Sequence, residues 1–307
     1  MLKRFTSWQY AGPIAIVFAA FLWSLDALFR QSLYSLPSLF IVFAEHALGL
    51  LITLPWLIQF WPRIKYLSHR TWISIFWVAV FGGLLGTLAY TSALSYINYI
   101  NFSVVVLLQK LQPIFAIFLA RIILKERFRG RFYFWAFLAL LGGYFVAFPD
   151  ILPQWQDGGK NVWAGLLAVG AAFAWGSSTV MGKYSLRDLD ARIVTPLRLG
   201  LTAMISGIGV LLFVRLGTLP VPSTEQVFYL VAIVFSSGAV ALSIYYFGLK
   251  KVEASQSTIL EMFWPISAVT IDWIFFGHAL TWSQILGAVL MLTAIYRVSQ
   301  REKIIPV

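Results

Sequence analysis

The sequence predicts an all-α integral membrane protein: ten transmembrane helices, arranged as two inverted five-helix repeats, with both termini in the cytoplasm. Three observations lead to this fold class. First, 60% of the 307 residues are hydrophobic, 11% are charged and the mean hydropathy is +0.82, which is not the composition of a soluble fold. Second, the apolar residues fall into ten runs of about membrane-spanning length. Third, similar stretches recur at one constant offset.

We call the ten apolar runs segments 1 to 10. A membrane-spanning helix needs roughly 20 apolar residues, so ten of them leave no room for a large soluble domain. Basic residues precede segment 1, as in a signal peptide, but its apolar stretch continues to Phe29, so we expect a retained helix. In chain order the segments cover residues 11–29, 39–60, 72–94, 100–123, 132–148, 162–181, 193–214, 227–249, 254–276 and 281–296.

The basic residues are sorted by membrane side. If the N-terminus is cytoplasmic and the chain alternates, 18 of the 23 lie in inner loops and tails, 3 in outer loops and 2 inside segments. This asymmetry predicts the orientation by the positive-inside rule. The three outer residues are Arg30, Lys160 and Arg215, and the two inside segments are Lys110 and Arg198.

The formal charge of +11 and the pI of 9.9 raise the possibility of nucleic-acid binding. The positive charge is distributed in short juxtamembrane stretches, which suits anionic lipid headgroups better than a phosphate track. The chain has no cysteine, and His46, His69 and His278 show no metal-ligand spacing. No P-loop or dinucleotide fingerprint is present either. We therefore expect membrane lipids as partners, and no nucleic acid, metal or cofactor.

An internal repeat divides the chain. Residues 17–23 match residues 169–175 at five of seven positions, an offset of 152. Five residues of segment 4 recur at the same offset in segment 9, among them Pro113 and Pro265. Because each half holds an odd number of segments, the second half must enter the membrane in the opposite sense. We place the two repeats at 1–152 and 153–307, with a linker over 149–161.

These features resemble the drug/metabolite transporter superfamily, in particular its ten-helix EamA-type members. The resemblance rests on the paired Ala-Ala-Phe-x-Trp stretches at 19–23 and 171–175, on the two prolines, and on Leu-Lys-Glu-Arg-Phe at 124–128. It covers nearly the whole chain. Where the family usually repeats the glutamate of Glu126 at the end of segment 9, this chain has His278. The resemblance implies an inner-membrane carrier of small metabolites, often an exporter of amino acids.

Pro113 and Pro265 are expected to interrupt their helices. Proline has no backbone N–H and clashes with the preceding turn, so a mid-membrane proline predicts a kink or opened carbonyls that face a cavity. A static packing kink is the alternative. Discontinuities at equivalent positions of two repeats are a good pointer to a binding site near the midplane, and such a kink can act as a gate.

Ionisable residues inside the segments are the sharpest signal, because a charge at the bilayer centre costs at least about 3 kcal/mol. Lys110 and Glu261 are candidate substrate ligands, although each could instead serve in a structural ion pair or in proton coupling. Arg198 lies at the same depth as Glu261, which predicts that the two are partners or form a gate. For Lys110 the structural alternative is a pair with Glu45 or Asp26. Asp26 and Arg30 have the spacing of a salt bridge on one helix face.

Glu45 and His46 are assigned to gating or structure, together with Asp26. Aromatic residues mostly serve packing and interfacial belts, but several lie deep or in paired segments and could hold an apolar or cationic group. Gly82 and Gly86 have a spacing that permits close helix contact. The candidate substrate-binding aromatic residues are Trp23, Tyr90, Trp175, Tyr246 and Trp264.

From the residues and the resemblance together, we expect a secondary transporter in the cell inner membrane. A buried cation and a buried anion in equivalent segments predict a zwitterionic substrate such as an amino acid, moved by an exporter or exchanger that uses alternating access and a coupling proton. Two alternatives remain open: a transporter of cationic or aromatic drug-like compounds, and a sensor or assembly subunit without flux. A membrane enzyme is disfavoured because the buried charges are single and scattered.

Overall fold

The computed structural model describes residues 10–33, 35–95, 108–148, 159–214, 220–277 and 279–300. Across these residues the chain is helical, with turns between helices and no strand. The all-α class is therefore confirmed for this part of the chain. Expectations that concern residues 100–107, Gly158, Arg215 and His278 lie outside it, as does the side chain of Lys160.

Helices occupy all ten segments. In the first half they are Ala11–Ser24 with Asp26–Arg30, Ser38–Ile64, His69–Trp77 with the π-helical Val78–Leu85 and Gly86–Ser95, Gln112–Leu119 with the π-helical Ala120–Leu124, and Gly130–Ala147. In the second half they are Gly159–Leu186, Ala191–Phe213, Thr224–Phe235 with Ala239–Leu249, Ala254–Leu260 with Phe263–Phe276, and Trp282–Ser299.

Eight of these helical stretches are long and apolar enough to cross a membrane. They correspond to segments 1, 2, 3, 5, 6, 7, 8 and 9, while the described part of segment 4 is a shorter apolar helix over Gln112–Leu124. Two boundaries differ from expectation. The helix of segment 2 continues through Pro55 and Pro62 to Ile64, and the helix of segment 6 begins at Gly159, inside the predicted linker.

Segments 4 and 9 are each interrupted by a two-residue turn. The turns lie at Lys110–Leu111 and at Glu261–Met262. The prolines explain them: without an N–H, Pro113 and Pro265 cannot bond to the carbonyl four residues earlier, so the regular ladder is lost there. Each interruption thus coincides with one of the ionisable residues in the membrane interior.

Segments 3 and 8 are also irregular at equivalent positions. Segment 3 is π-helical over Val78–Leu85 and returns to an α-helix at Gly86. Segment 8 breaks at the turn 236–238, where Gly238 is the last residue before the second helix. Gly86 and Gly238 are 152 residues apart, the offset that also relates the two prolines. Among the described residues, segments 3, 4, 8 and 9 are therefore irregular as two pairs, whereas segment 1 is interrupted at Leu25 and its counterpart, segment 6, is continuous.

Helix packing in one half of the chain has a counterpart in the other half. Segment 1 packs against segments 8 and 9, and segment 6 packs against segments 3 and 4. Segments 2 and 7 pair with one another, as do segments 5 and 10. If each segment is replaced by its counterpart in the other half, for example segment 1 by segment 6, the list of contacts stays the same. A two-fold relation between the halves requires this.

Segments 5 and 10 touch backbone to backbone. A Cβ atom added at Gly142 would lie 2.6 Å from the carbonyl oxygen of Gly287, and one at Gly287 would lie 2.6 Å from that of Gly142. Small residues at such a crossing are typical of membrane helices, where association depends on close packing. Both helices also pack against segment 9, since a Cβ added at Gly143 would lie 3.0 Å from the side chain of Met262 at its break.

Candidate functional site between the discontinuous helices

Glu261 lies at the break of segment 9, with its carboxylate turned into the bundle. The Tyr245 hydroxyl donates to its Oε1 over 2.8 Å, and Ser257 Oγ donates to the same oxygen over 3.0 Å. The Gln112 amide donates to Oε2 over 2.8 Å. These donors replace the water that a carboxylate loses inside a membrane. Because Gln112 belongs to segment 4, the carboxylate links the broken segments of both halves.

Tyr245 connects this carboxylate to two further segments. Its side chain is buried, and its hydroxyl forms a hydrogen bond of 3.0 Å with Thr179 Oγ1 on segment 6. Its ring lies against Trp23 of segment 1, with the centroids 5.1 Å apart. Segments 1, 4, 6, 8 and 9 therefore all contribute to the surroundings of Glu261.

Lys110 lies at the break of segment 4, and its ammonium is placed over the indole of Trp264. Its Nζ is 3.7 Å from the ring centroid, a cation–π contact, and the side chain is buried. Among the described residues, no carboxylate oxygen lies within salt-bridge distance of Lys110. Glu45 and Asp26, the partners that the sequence left open, bind Arg30 instead. Trp264 follows Glu261 by three residues, so the cation, the ring and the carboxylate are neighbours.

A second aromatic pair lies beside this site. The rings of Tyr90 and Trp175 are 5.4 Å apart and tilted by 56°. Trp175 is one helical turn from Thr179, so both face the same side of segment 6. Gly86 makes room for the indole, because a Cβ added there would lie 2.6 Å from Trp175 Nε1. The irregular part of segment 3 thus allows an aromatic side chain to approach its backbone.

Arg198 does not pair with Glu261, and the sequence prediction on this point was wrong. Its Nη1 donates instead to the hydroxyl of Tyr246 over 2.9 Å. Its Nε is buried and has no hydrogen-bond partner among the described residues. The two residues have similar depth, but their helices turn the side chains in different directions, and Tyr245, Ser257 and Gln112 already surround the carboxylate.

The remaining ionisable residues form a separate group around Arg30. Arg30 Nε is 2.5 Å from Asp26 Oδ2, and Arg30 Nη2 is 2.8 Å from Glu45 Oε2. Asp26 Oδ1 accepts from Ser237 over 2.7 Å, at the break of segment 8. The imidazole of His46 meets the Val42 carbonyl at 2.8 Å. This group joins segments 1, 2 and 8 through charged contacts and has no described contact with Lys110 or Glu261.

Sequence reasoning missed Gln112 and Ser257, which donate to Glu261, and Thr179, which bonds to the hydroxyl of Tyr245. Gln112 carries a signal that could have found it, since it is a polar residue beside Pro113 and two positions after Lys110 in a mainly apolar run. Ser257 precedes Glu261 by four residues, one helical turn, which predicts a contact. Thr179 carries no such signal, because its role depends on how segment 6 is rotated toward segment 8.

The broken helices place a cation, an anion and aromatic rings between two related groups of helices. This arrangement defines a polytopic membrane carrier with a central polar site. The described residues contain no group of three or more His, Cys, Asp or Glu side chains that could hold a metal ion. The profile of the EamA-like transporter family matches residues 10–148 and again residues 162–300. The chain belongs to this family.

Two known proteins extend the comparison. The chain is 38% identical over 293 residues to the riboflavin transporter ImpX of Fusobacterium nucleatum subsp. nucleatum, an alignment that covers 94% of this chain and 97% of that protein. A solved crystal structure superposes with a TM-score of 0.76 at 18% identity, covering 94% of this chain and 96% of that one. At that identity the second match shows the fold alone. The protein is a multi-pass transporter of a small molecule in the plasma membrane, not an enzyme.

Proposed function

We propose that the protein is a secondary transporter of riboflavin or a closely related flavin. The observation that carries this proposal is the 38% identity, over nearly the full length of both chains, to a protein named a riboflavin transporter. The composition of the central site supports it. The expected amino-acid substrate has no such support from a relative.

A flavin has the chemistry that these residues recognise. Its isoalloxazine is a flat, uncharged, three-ring system that can stack on aromatic side chains, and its imide edge carries one N–H donor between two carbonyl acceptors. Glu261 supplies an acceptor for that N–H, and Gln112 and Lys110 supply donors for the carbonyls. Trp264 and Trp23 supply ring faces within the same group of contacts.

The cation–π contact sets a condition on binding. An ammonium 3.7 Å from the centroid of Trp264 occupies the face on which a flat ring would stack. A flavin that stacks there displaces Lys110, whose flexible side chain can then donate to a flavin carbonyl. The empty carrier thereby keeps its buried cation stabilised until the substrate arrives.

For the transport cycle we propose alternating access between two inverted halves, 1–152 and 153–307, each with five membrane-spanning segments and with both termini in the cytoplasm. Two observations support this arrangement: the helix contacts of one half correspond to those of the other, and the family model matches each half separately. The central site lies between segments of both halves. Rocking one half against the other would therefore expose it to each side of the membrane in turn.

A second candidate is an exporter or exchanger of a zwitterion such as an aromatic amino acid. One observation favours it: Lys110 and Glu261, of opposite charge, lie at breaks of equivalent segments. In that case Lys110 binds the carboxylate and Glu261 the ammonium. The two candidates differ in what Glu261 must do, because a flavin imide needs only an acceptor whereas an ammonium needs a charge.

The deciding experiment is counterflow in liposomes that contain the purified protein. Liposomes loaded with unlabelled riboflavin are expected to accumulate radiolabelled riboflavin transiently, and liposomes without protein are not. Excess phenylalanine or a flat cationic dye outside should leave this signal unchanged, whereas a flavin analogue should abolish it. Counterflow of phenylalanine but not of riboflavin would reverse the assignment in favour of the zwitterion.

A further inference from the structure

The basic end of the bundle, where segments 4, 6, 8 and 9 meet, carries a set of charged contacts outside the central site. Glu126 follows the end of segment 4, and its carboxylate accepts from the N–H groups of Ala254 over 2.8 Å and Ser255 over 3.0 Å. Ser255 Oγ donates to it as well, over 2.7 Å. Glu126 therefore caps the first turn of segment 9 from the loop after segment 4. A helix cap is normally supplied by the residue before the helix itself.

The local backbone is arranged for this contact. Segment 4 ends in a π-helical turn, and Lys125 then takes a left-handed conformation with φ of 60°. This conformation costs an L-residue roughly 1–2 kcal/mol. It turns the chain so that Glu126, which is buried, reaches segment 9. Backbone strain persists only where the surrounding structure holds it in place. The strain at Lys125 therefore indicates that the contact of Glu126 with segment 9 matters to this part of the fold.

Cations complete the closure at the same end. Lys183 of segment 6 donates to the carbonyl of Leu249, the last helical residue of segment 8, and to that of Val252, in the loop before segment 9. Arg187 donates to the carbonyl of Leu124 over 2.8 Å. Leu124 and Leu249 are the last residues of their helices, so both cations lie at helix C-termini, while the Glu126 carboxylate lies at a helix N-terminus. Each charge has the sign that such a helix end favours.

The helix that Glu126 holds is short and leads to the central site. It runs over Ala254–Leu260 and ends at the break where Glu261 lies. The turn at the break separates this half-helix from the outer part of segment 9, Phe263–Phe276. We propose that Glu126 is a latch: it fixes the half-helix that carries Glu261 at its end, and release of this latch opens the central site to the cytoplasm.

The latch rests on the proposed transport cycle, because it joins segment 4 of one half to segment 9 of the other. Any rocking of the halves must separate these two ends. The equivalent position in the second half is His278 rather than glutamate, so the sequence provides this carboxylate at one end of the repeat and not at the other. The charge asymmetry assigns the basic end to the cytoplasm.

A reversible cross-link tests whether the latch must open. Leu124 and Ala254 belong to one buried apolar cluster at this contact, and the chain has no native cysteine. In the variant Leu124→Cys/Ala254→Cys, a short cleavable bis-thiol reagent should reduce riboflavin counterflow at least tenfold, and reduction should restore it. The two single variants are the controls. Full flux with the ends cross-linked would overturn the latch.

Accessibility gives a reading that does not depend on the substrate. Thr179→Cys places a thiol beside Tyr245, and an impermeant reagent applied from the basic side should label it at least fivefold faster when Glu126→Gln is added. The matched control is Asp190→Asn, which removes a capping carboxylate from the same membrane side but from within a single helix. Equal labelling rates in all three proteins would refute the latch even if riboflavin proves not to be the substrate.

Discussion

The hydroxyl of Tyr245 offers the sharpest test of the central site, because Tyr245→Phe removes one oxygen and keeps the ring. The ring contact with Trp23 is preserved. Glu261 loses a donor at 2.8 Å, and Thr179 loses a partner at 3.0 Å. Without that donor the carboxylate keeps Ser257 and Gln112 but is less firmly oriented toward a substrate.

The size of the effect follows from the contact that is lost. A hydrogen bond to a charged group contributes about 1.5–3 kcal/mol, and every 1.4 kcal/mol is tenfold in affinity. If the orientation of Glu261 determines flavin binding, the dissociation constant of riboflavin should rise between about tenfold and about a hundredfold. The unpaired hydroxyl of Thr179 should also lower the free energy of unfolding by about 1–3 kcal/mol.

The assay is titration of the purified protein with riboflavin, followed by quenching of flavin fluorescence, alongside thermal unfolding. Tyr296→Phe is the matched control, since it removes the same atom from a tyrosine that is 60% exposed on segment 10. Riboflavin affinity within about twofold of the unmodified protein, in a folded Tyr245→Phe variant, would show that Glu261 does not orient the substrate.

Three further predictions concern topology, pH and packing. A cysteine at Gly158 should react with an impermeant reagent from outside and one at Ser299 should not; the opposite pattern would overturn the assigned orientation. Glu253 directly precedes the half-helix Ala254–Leu260, and burial together with the latch carboxylate Glu126 raises its pKa to about 7. The closed latch therefore loses stability as the inner pH rises from about 4.5 to about 7. Acidifying the inner side below 7 should therefore slow counterflow, and Glu253→Gln should remove this slope; equal slopes in both proteins would contradict the reasoning. Gly86→Ala introduces a Cβ 2.6 Å from Trp175 Nε1 and should displace the indole. Riboflavin affinity should then fall, and the free energy of unfolding should decrease by about 1–3 kcal/mol. Unchanged affinity would place Trp175 outside the binding site.

Composition and spacing were sufficient for the all-α membrane class, because hydropathy and helix length act on each segment separately. They also pointed to Lys110 and Glu261, since any charge within an apolar run is conspicuous. The breaks follow from proline chemistry and a constant offset, which the sequence displays directly. The π-helical part of segment 3 was not predictable in this way, because its glycines could equally serve a regular helix.

Contacts between segments were harder to predict. Arg198 was paired with Glu261 because both lie at one depth, yet depth does not specify the direction in which a helix turns its side chain. The structure instead pairs Arg198 with Tyr246 and gives Glu261 three neutral donors. Glu126 was noted only through the family resemblance, since nothing in its neighbourhood of basic residues indicates a contact with the start of segment 9.

The pairing of segment 5 with segment 10, like that of segment 2 with segment 7, joins each helix to its own counterpart. A single five-helix polypeptide inserted into the membrane in both orientations would reproduce every one of these interfaces with a second copy of itself. The two copies in such a dimer would have identical sequences. A side chain needed at a position in one copy would therefore also be present at that position in the other copy. Joining the halves in one chain removes that restriction. Asp26, Glu45 and Glu126 have no acidic counterparts 152 residues later, and Glu261 has none 152 residues earlier. The carboxylates that differ between the two halves are therefore an arrangement that two identical halves could not adopt.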